Sequence, residues 1–387
     1  MQSGIHAHSH HRYIDCVRGY AILLVLAAHV TYAFIELPYP VKRLTSSGWF
    51  GVQMFFLASA LTLMMSWHAE LQKHGIVSIR GFFIRRFMRI APAYYAAGLL
   101  YFLLIPPQSG FDSGQALKAL LFVNAWNPDW TSTTGRWIVV PGGWSISVEF
   151  SFYLVFPCLA LIVTNLRRAL LSLLASLALG AAANLVAWKL YQIWFNQVSV
   201  QNFLFFWFPN QMSVFMAGFV FYFLLRDHGA MSVWVRGFFA RHAQSLSLAA
   251  VAGFAALAYI PQGHYLGDRP WIPAGQAICV PFMVFILAIS CGRSMFVNKI
   301  AALLGTVSFS AYLIHFAILH ILMQFPESFH LKQTGFAAIA AFLFLYGVTV
   351  VLTFGIALVS YTWIEQPMIA LARIWQRRVP SPAATSR

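Results

Sequence analysis

The sequence predicts an all-α protein: a polytopic transmembrane helix bundle of about ten spans with both termini cytoplasmic. Three observations predict it. Hydrophobic residues make up 60% of the chain and charged residues 9%, with a mean hydropathy of +0.71, whereas a soluble domain carries about 25% charged residues. The apolar residues collect in runs close to the ~20 residues that a helix needs to cross hydrocarbon. The basic residues fall in short clusters between those runs, heavier on every second connection, which is the pattern that sets membrane orientation. A net charge of +15 on a soluble chain would point to nucleic acid. Distributed between apolar runs it points to a lipid bilayer instead, and no nucleic-acid partner is expected.

Taken in order, the expected spans are 19–37, 49–67, 92–106, 146–165, 169–188, 203–225, 245–260, 273–291, 305–325 and 338–363. The first run is too long for the apolar core of a signal peptide and lacks a small-residue cleavage site, so it reads as a span. Residues 1–11 read as a disordered cytoplasmic tail, 12–372 as one membrane domain and 373–387 as a basic cytoplasmic tail. The first tail holds His6, His8, His10 and His11; a polar terminal tail accounts for them without a metal. Cys16, Cys158, Cys279 and Cys291 lie in or beside apolar runs with no C-x-x-C pair, so they read as small hydrophobes and no metal site is expected.

Orientation follows from the cations. With the N-terminus inside, the inner segments carry 18 of the 25 Lys and Arg residues, among them Arg12, Arg18, Arg85, Arg86, Arg89, Arg226, Arg236 and Arg293. The outer segments carry Lys42, Arg43, Lys118, Arg136, Lys189, Arg269 and Lys332. This places the protein in the cytoplasmic (inner) membrane as a multi-pass protein. The longest outer segment, about 107–145, is rich in turn signals such as Pro106-Pro107 and Pro141-Gly142-Gly143. Its tryptophans, Trp126, Trp130, Trp137 and Trp144, suit interfacial anchoring and also stacking on the C–H face of a sugar.

Ionisable side chains inside spans are costly and mark candidate sites. His29 lies eleven residues beyond Arg18, about 16 Å along a helix, so Arg18 sits at the inner surface and His29 near mid-membrane. A histidine bonded to a neighbouring helix and a catalytic base both fit that position. Glu149, in Trp144-Ser145-Ile146-Ser147-Val148-Glu149, enters a span from outside. It suits either the orientation of a histidine or a structural pairing with an arginine. Tyr312 and His315 share a face at i, i+3, with His315 at the depth of His29. Arg85, Arg86 and Arg89 lie on one side of an amphipathic inner-surface helix; they fit a lipid anchor or a phosphate clamp. Gln211 and Ser59 add polar groups that face the bundle.

A phosphate clamp inside and an imidazole at mid-membrane suit a reaction across the bilayer. An acyl-CoA thioester would enter from the cytoplasm and a hydroxyl acceptor from outside, with a neutral histidine removing the hydroxyl proton. There is no Walker-type loop, so ATP use is not indicated.

These blocks, in order, resemble the acyltransferase-3 family of integral membrane O-acyltransferases, over about residues 12–368. The blocks are Arg12 to Gly19 followed by His29, an Arg-x10-His pattern; Gly51 to Ser59; Arg85 to Pro92; Trp144 to Glu149; Ser308 to His315; and Glu365-Gln366-Pro367. Ala60 stands where that family usually has glycine. The resemblance implies a helix bundle around a pore through which the acyl group passes. It implies acetyl-CoA as the donor and co-substrate, and a sugar or glycan of the bacterial envelope as the acceptor. It implies His29, Arg18 and Glu149 as catalytic residues and Arg85, Arg86 and Arg89 as the donor-binding motif. Trp144, Ser147, Gln211, Tyr312 and His315 are candidates for substrate binding. Some relatives carry a second, hydrolase-like domain, and none is expected in this chain. Two other classes stay open: a transporter of small anions or glycans, which buried His and Glu would also serve, and an inactive membrane scaffold.

Overall fold

Among the described residues seven helical segments are long and apolar enough to cross a bilayer, and a helix pair bent by 76° raises the number to eight. The computed structural model describes residues 12–108, 110–131, 137–259 and 274–377. The tail at 1–11 with His6, His8, His10 and His11, Arg136, Arg269 and residues 378–387 of the basic tail lie outside the described residues.

Among the described residues all regular structure is helical. Helix α1 is Arg12–Thr31, α2 is Tyr39–Ser46, and a 3-10 turn at Ser47–Phe50 leads into α3, Gly51–His74. Then come α4 (Ile79–Leu104), α5 (Ser113–Leu120), α6 (Trp144–Ile162), α7 (Leu166–Tyr191), α8 (Gln197–Phe206) and α9 (Phe208–Arg226). The remainder is α10 (Ala230–Arg241), α11 (Ala243–Tyr259), α12 (Cys279–Cys291), α13 (Lys299–Thr306), α14 (Ser308–Leu322), α15 (Gly335–Ser360) and α16 (Gln366–Arg377).

The helix ends follow local chemistry. Ser78 accepts from the Gly81 amide at 3.0 Å to cap α4, and Asn298 accepts from Ala301 at 2.9 Å to cap α13. The chain leaves α3 through Gly75 at φ 72°, a left-handed conformation open to glycine.

Three expectations change. The short third span at 92–106 and the basic segment before it are one 26-residue helix, α4, with Pro92 inside it. A proline removes only one helix hydrogen bond, and packing against neighbouring helices tolerates that loss. The ninth span breaks at Val307 into α13 and α14, bent by 76°. The seventh and eighth are shorter apolar helices, α11 of 17 residues and α12 of 13. Both are tied to neighbouring segments. At one end Gly292 packs on Ala240 and Ala243. At the other, Tyr259 Oη donates to Pro40 O at 3.0 Å beside α2, and Gln276 Nε2 donates to Asn210 O at 2.7 Å near the start of α9.

Helix α1 runs through the bundle, packed on α3, α12, α13, α14 and α15. Its crossing with α13 is backbone on backbone. A Cβ on Gly19 would meet the Ala301 carbonyl, and one on Gly305 would meet that of Asp15. Small residues that let helices approach this closely are how membrane helices gain contact without a hydrophobic drive. Between α3, α6 and α9 the core is aromatic: Phe215 stacks on Phe152 at 4.0 Å and on Phe56 at 4.6 Å. That wedge holds α6, and with it Glu149, against α3.

Candidate active site

A cavity of about 80 Å³ opens between α1, α3, α4, α6 and α14. Its wall carries Arg18 from α1, Ser59 from α3, Arg86 and Arg89 from α4, Glu149 from α6 and Tyr312 from α14. Three guanidinium groups therefore face one carboxylate, and the cavity favours an anionic or strongly polarised guest.

Arg18 and Glu149 are held by named partners. Arg18 Nη2 donates to Thr62 Oγ1 at 3.2 Å, and its Nη1 lies 4.0 Å from Asp15 Oδ1. Glu149 Oε1 accepts from Ser59 Oγ and from Tyr153 Oη, each at 2.6 Å. Tyr153 is four residues after Glu149 and so stands on the same helix face. Arg86 Nε is buried with no hydrogen-bond partner, a cost that an arriving acceptor would relieve.

Arg85 departs from its two neighbours. It points at Glu70, with Nη2 2.5 Å from Oε2, and does not line the cavity. Successive helix residues point about 100° apart, so a basic triplet on one helix need not act on one ligand.

Deeper along the bundle lies a second polar cluster. Tyr312 Oη donates to the Gly142 carbonyl at 2.9 Å and accepts from Ser145 Oγ at 2.9 Å. The same ring lies 5.6 Å, centroid to centroid, from that of His315. His315 is fully buried. Its Nδ1 is 2.6 Å from Tyr312 O, and its Nε2 is 3.3 Å from His29 Nδ1. His29 Nδ1 is also 2.9 Å from Val25 O, and Phe316 covers its ring at 4.3 Å.

The structure thus brings Arg18, Arg86, Arg89, Glu149 and Tyr312 to one cavity and pairs His29 with His315. The cavity reaches Tyr312 and stops there; neither histidine lines it. The expected partnership of Glu149 with a histidine is replaced by one with Ser59 and Tyr153, because Glu149 stands at the level of the arginines.

The other expected substrate contacts are placed elsewhere. Ser147 is fully buried; it donates to Phe122 O at 2.6 Å and accepts from Ala125 N at 3.2 Å, tying α6 to the segment after α5. Gln211 Oε1 accepts from Gln53 at 3.2 Å and its Nε2 donates to Phe205 O at 2.6 Å, a link between helices. Trp144 packs among Phe56, Phe205 and Phe206 and borders a separate small cavity with Trp130 and Trp137.

Thr62 and Tyr153 escaped the sequence reading, signalled only by helical spacing from Ser59 and Glu149, while Ser145 and Glu365 stood in the motif blocks without a role assigned to them. Glu365 is 3% exposed and bonded to Ser310 Oγ, within electrostatic reach of Arg89. A π-turn at Tyr361–Glu365 brings it inward, and such turns recur at functional sites. Among the described residues no group of three or more His, Cys, Asp or Glu is placed to hold a metal ion.

A family model described as an acyltransferase domain matches residues 11–358. The chain is 32% identical over 151 residues to the acyltransferase MdmB of Streptomyces mycarofaciens, covering 36% of this chain and 37% of that protein. It is 25% identical over 158 residues to the peptidoglycan O-acetyltransferase OatA of Listeria monocytogenes, covering 38% and 24%. It is 23% identical over 390 residues to the O-acetyltransferase OatA of Staphylococcus aureus, covering 92% and 56%. In each case a large share of the relative's own length lies outside the match. No solved structure matches the chain.

Proposed function

The chain belongs to the acyltransferase family that this model describes, and from that premise we propose that it is a multi-pass membrane O-acetyltransferase. It takes an acetyl group from acetyl-CoA on the cytoplasmic side and places it on a hydroxyl of an extracytoplasmic sugar or glycan. The observation that carries this reading is the arginine-lined cavity, which ends at Tyr312 beside the paired histidines. The O-acetyltransferase names of the relatives support the acetyl group, and the peptidoglycan named for one of them supports a glycan acceptor.

The donor fits the residues present. The orphaned Arg86 Nε–H can donate to a carbonyl or phosphate oxygen, with Arg18 and Arg89 beside it. The cavity has a volume of about 80 Å³. That is room for the acetyl thioester end and not for the nucleotide, which stays toward the basic mouth. Arg85, joined to Glu70, supports the helix there.

The acceptor oxygen attacks the thioester carbonyl carbon as His29 takes its proton at Nε2. The tetrahedral oxygen carries negative charge that donors nearby stabilise. The carbon–sulfur bond then breaks, and the thiolate of CoA leaves with the proton returned by His29. The products are an acetyl ester and free CoA. Because the histidines lie beyond the cavity wall, the Tyr312 side chain must yield for donor and base to meet. In this account α11 and α12 complete ten spans, both termini face the cytoplasm, and 12–372 forms the membrane domain.

The test is His29→Ala in protein purified in detergent with acetyl-CoA and a glycan acceptor. The expected result is loss of transfer, by a factor of at least about 100, in a variant that elutes as the parent does. Full activity in a folded His29→Ala protein removes this residue from the mechanism. Release of CoA thiol by the parent protein separates the enzyme from a carrier, which leaves the thioester intact.

A further inference from the structure

The carbonyl partners of the two imidazoles fix where their protons sit. His315 Nδ1 lies 2.6 Å from Tyr312 O, and a carbonyl oxygen cannot donate, so Nδ1 carries the hydrogen. His29 Nδ1 lies 2.9 Å from Val25 O and carries one for the same reason. Between the rings, 3.3 Å separates His315 Nε2 from His29 Nδ1. With a hydrogen already on His29 Nδ1, His315 Nε2 is the acceptor and bears a lone pair. For two neutral rings, every other assignment sets two lone pairs or two hydrogens against each other across one of these contacts. His29 is then left with Nε2 as its free nitrogen.

We propose that His315 is a positioning residue: its Nε2 accepts from His29 Nδ1–H, holding His29 in the tautomer whose Nε2 takes the acceptor's proton. This deepens the reading of His29 as the base and depends on it. His315 itself is unsuited to the chemistry, being fully buried with both ring nitrogens engaged. When His29 gains a proton at Nε2, its Nδ1–H becomes a charged donor, and the bond to His315 strengthens roughly twofold. Support for the base therefore rises as positive charge develops, the role a carboxylate fills in hydrolytic triads. A neutral imidazole suits this depth better, because a buried carboxylate needs further partners to offset its desolvation. The Val25 carbonyl, on the same helix one turn back, shares this hydrogen at 2.9 Å against 3.3 Å to His315, so the two acceptors together hold it on Nδ1 and His315 adds the restraint from a second helix.

The test compares His315→Gln, His315→Asn and His315→Leu with the parent in the purified transfer assay. A glutamine carboxamide reaches the Nε2 position with an acceptor oxygen, whereas asparagine reaches only the Nδ1 position and leucine offers none. The expected outcome is a kcat loss of about 100-fold or more in the Leu and Asn variants, with the KM for acetyl-CoA unchanged within about threefold. The Gln variant retains activity within about tenfold of the parent. Should the Leu variant fail to fold, the Gln–Asn contrast decides, since both are polar and of similar volume. Equal activity in the folded Gln and Asn variants, or a loss expressed in KM, overturns the positioning role. Failure of the base reading shows separately, as activity surviving in His29→Ala.

Discussion

At the scale of single residues, the charges around the cavity divide the labour that sequence alone had assigned to one motif. Arg86 and Arg89 line the cavity with Arg18, while Arg85 is tied to Glu70. Arg86→Ala removes a donor whose Nε has no partner in the protein. A charged hydrogen bond contributes about 1.5–3 kcal/mol, so the KM for acetyl-CoA should rise by roughly 10- to 100-fold with that of the acceptor little changed. Equal effects on the two substrates in steady-state kinetics would assign Arg86 to lipid contact instead. Arg85→Ala should affect donor KM far less, and serves as the comparison on the same helix. That His29 and His315 share one level could be read from spacing, because residue counts along a helix convert directly to distance. The partner of Glu149 could not, since Ser59 lies 90 positions away on another helix. Ser147 and Gln211 looked functional for being polar within spans; only packing shows that their hydrogen bonds are taken up by the protein.

At the scale of elements, the site depends on how closely α1 approaches α13. Gly19 and Gly305 allow that contact, and the bend after α13 sets Ser308 and Phe309 into the cavity wall. Gly305→Val would push the backbones apart. Overpacking of this kind costs about 1–3 kcal/mol, and here the obstacle is backbone, which cannot rotate away. The expected result is a lowered melting temperature in detergent together with weakened acetyl-CoA binding. An unchanged melting temperature would show that the crossing is slack. The expected third span illustrates what sequence conceals about elements. Proline and arginines at 85–92 read as a boundary, yet α4 continues through Pro92 for a total of 26 residues. The break at Val307 follows Gly305 by two residues, a local signal that the apolar run around it conceals.

At the scale of the whole molecule, composition and run lengths were enough for a helical membrane bundle, because hydrocarbon leaves few other solutions for the backbone. The number of crossings was harder to read. Hydropathy does not separate a long span from a shorter apolar helix held against its neighbours, such as α11, bonded through Tyr259, and α12, preceded by the Gln276 contact. Topology bears directly on function, since the account needs donor and acceptor on opposite faces. The decisive measurement uses the protein reconstituted in sealed vesicles, with labelled acetyl-CoA on the face bearing Arg226, Arg236 and Arg293 and a glycan acceptor on the other. The account predicts labelled ester on the glycan in this arrangement, and none when both substrates share either face. Label transferred equally well with both substrates on one face, or CoA left intact in every arrangement, would contradict it.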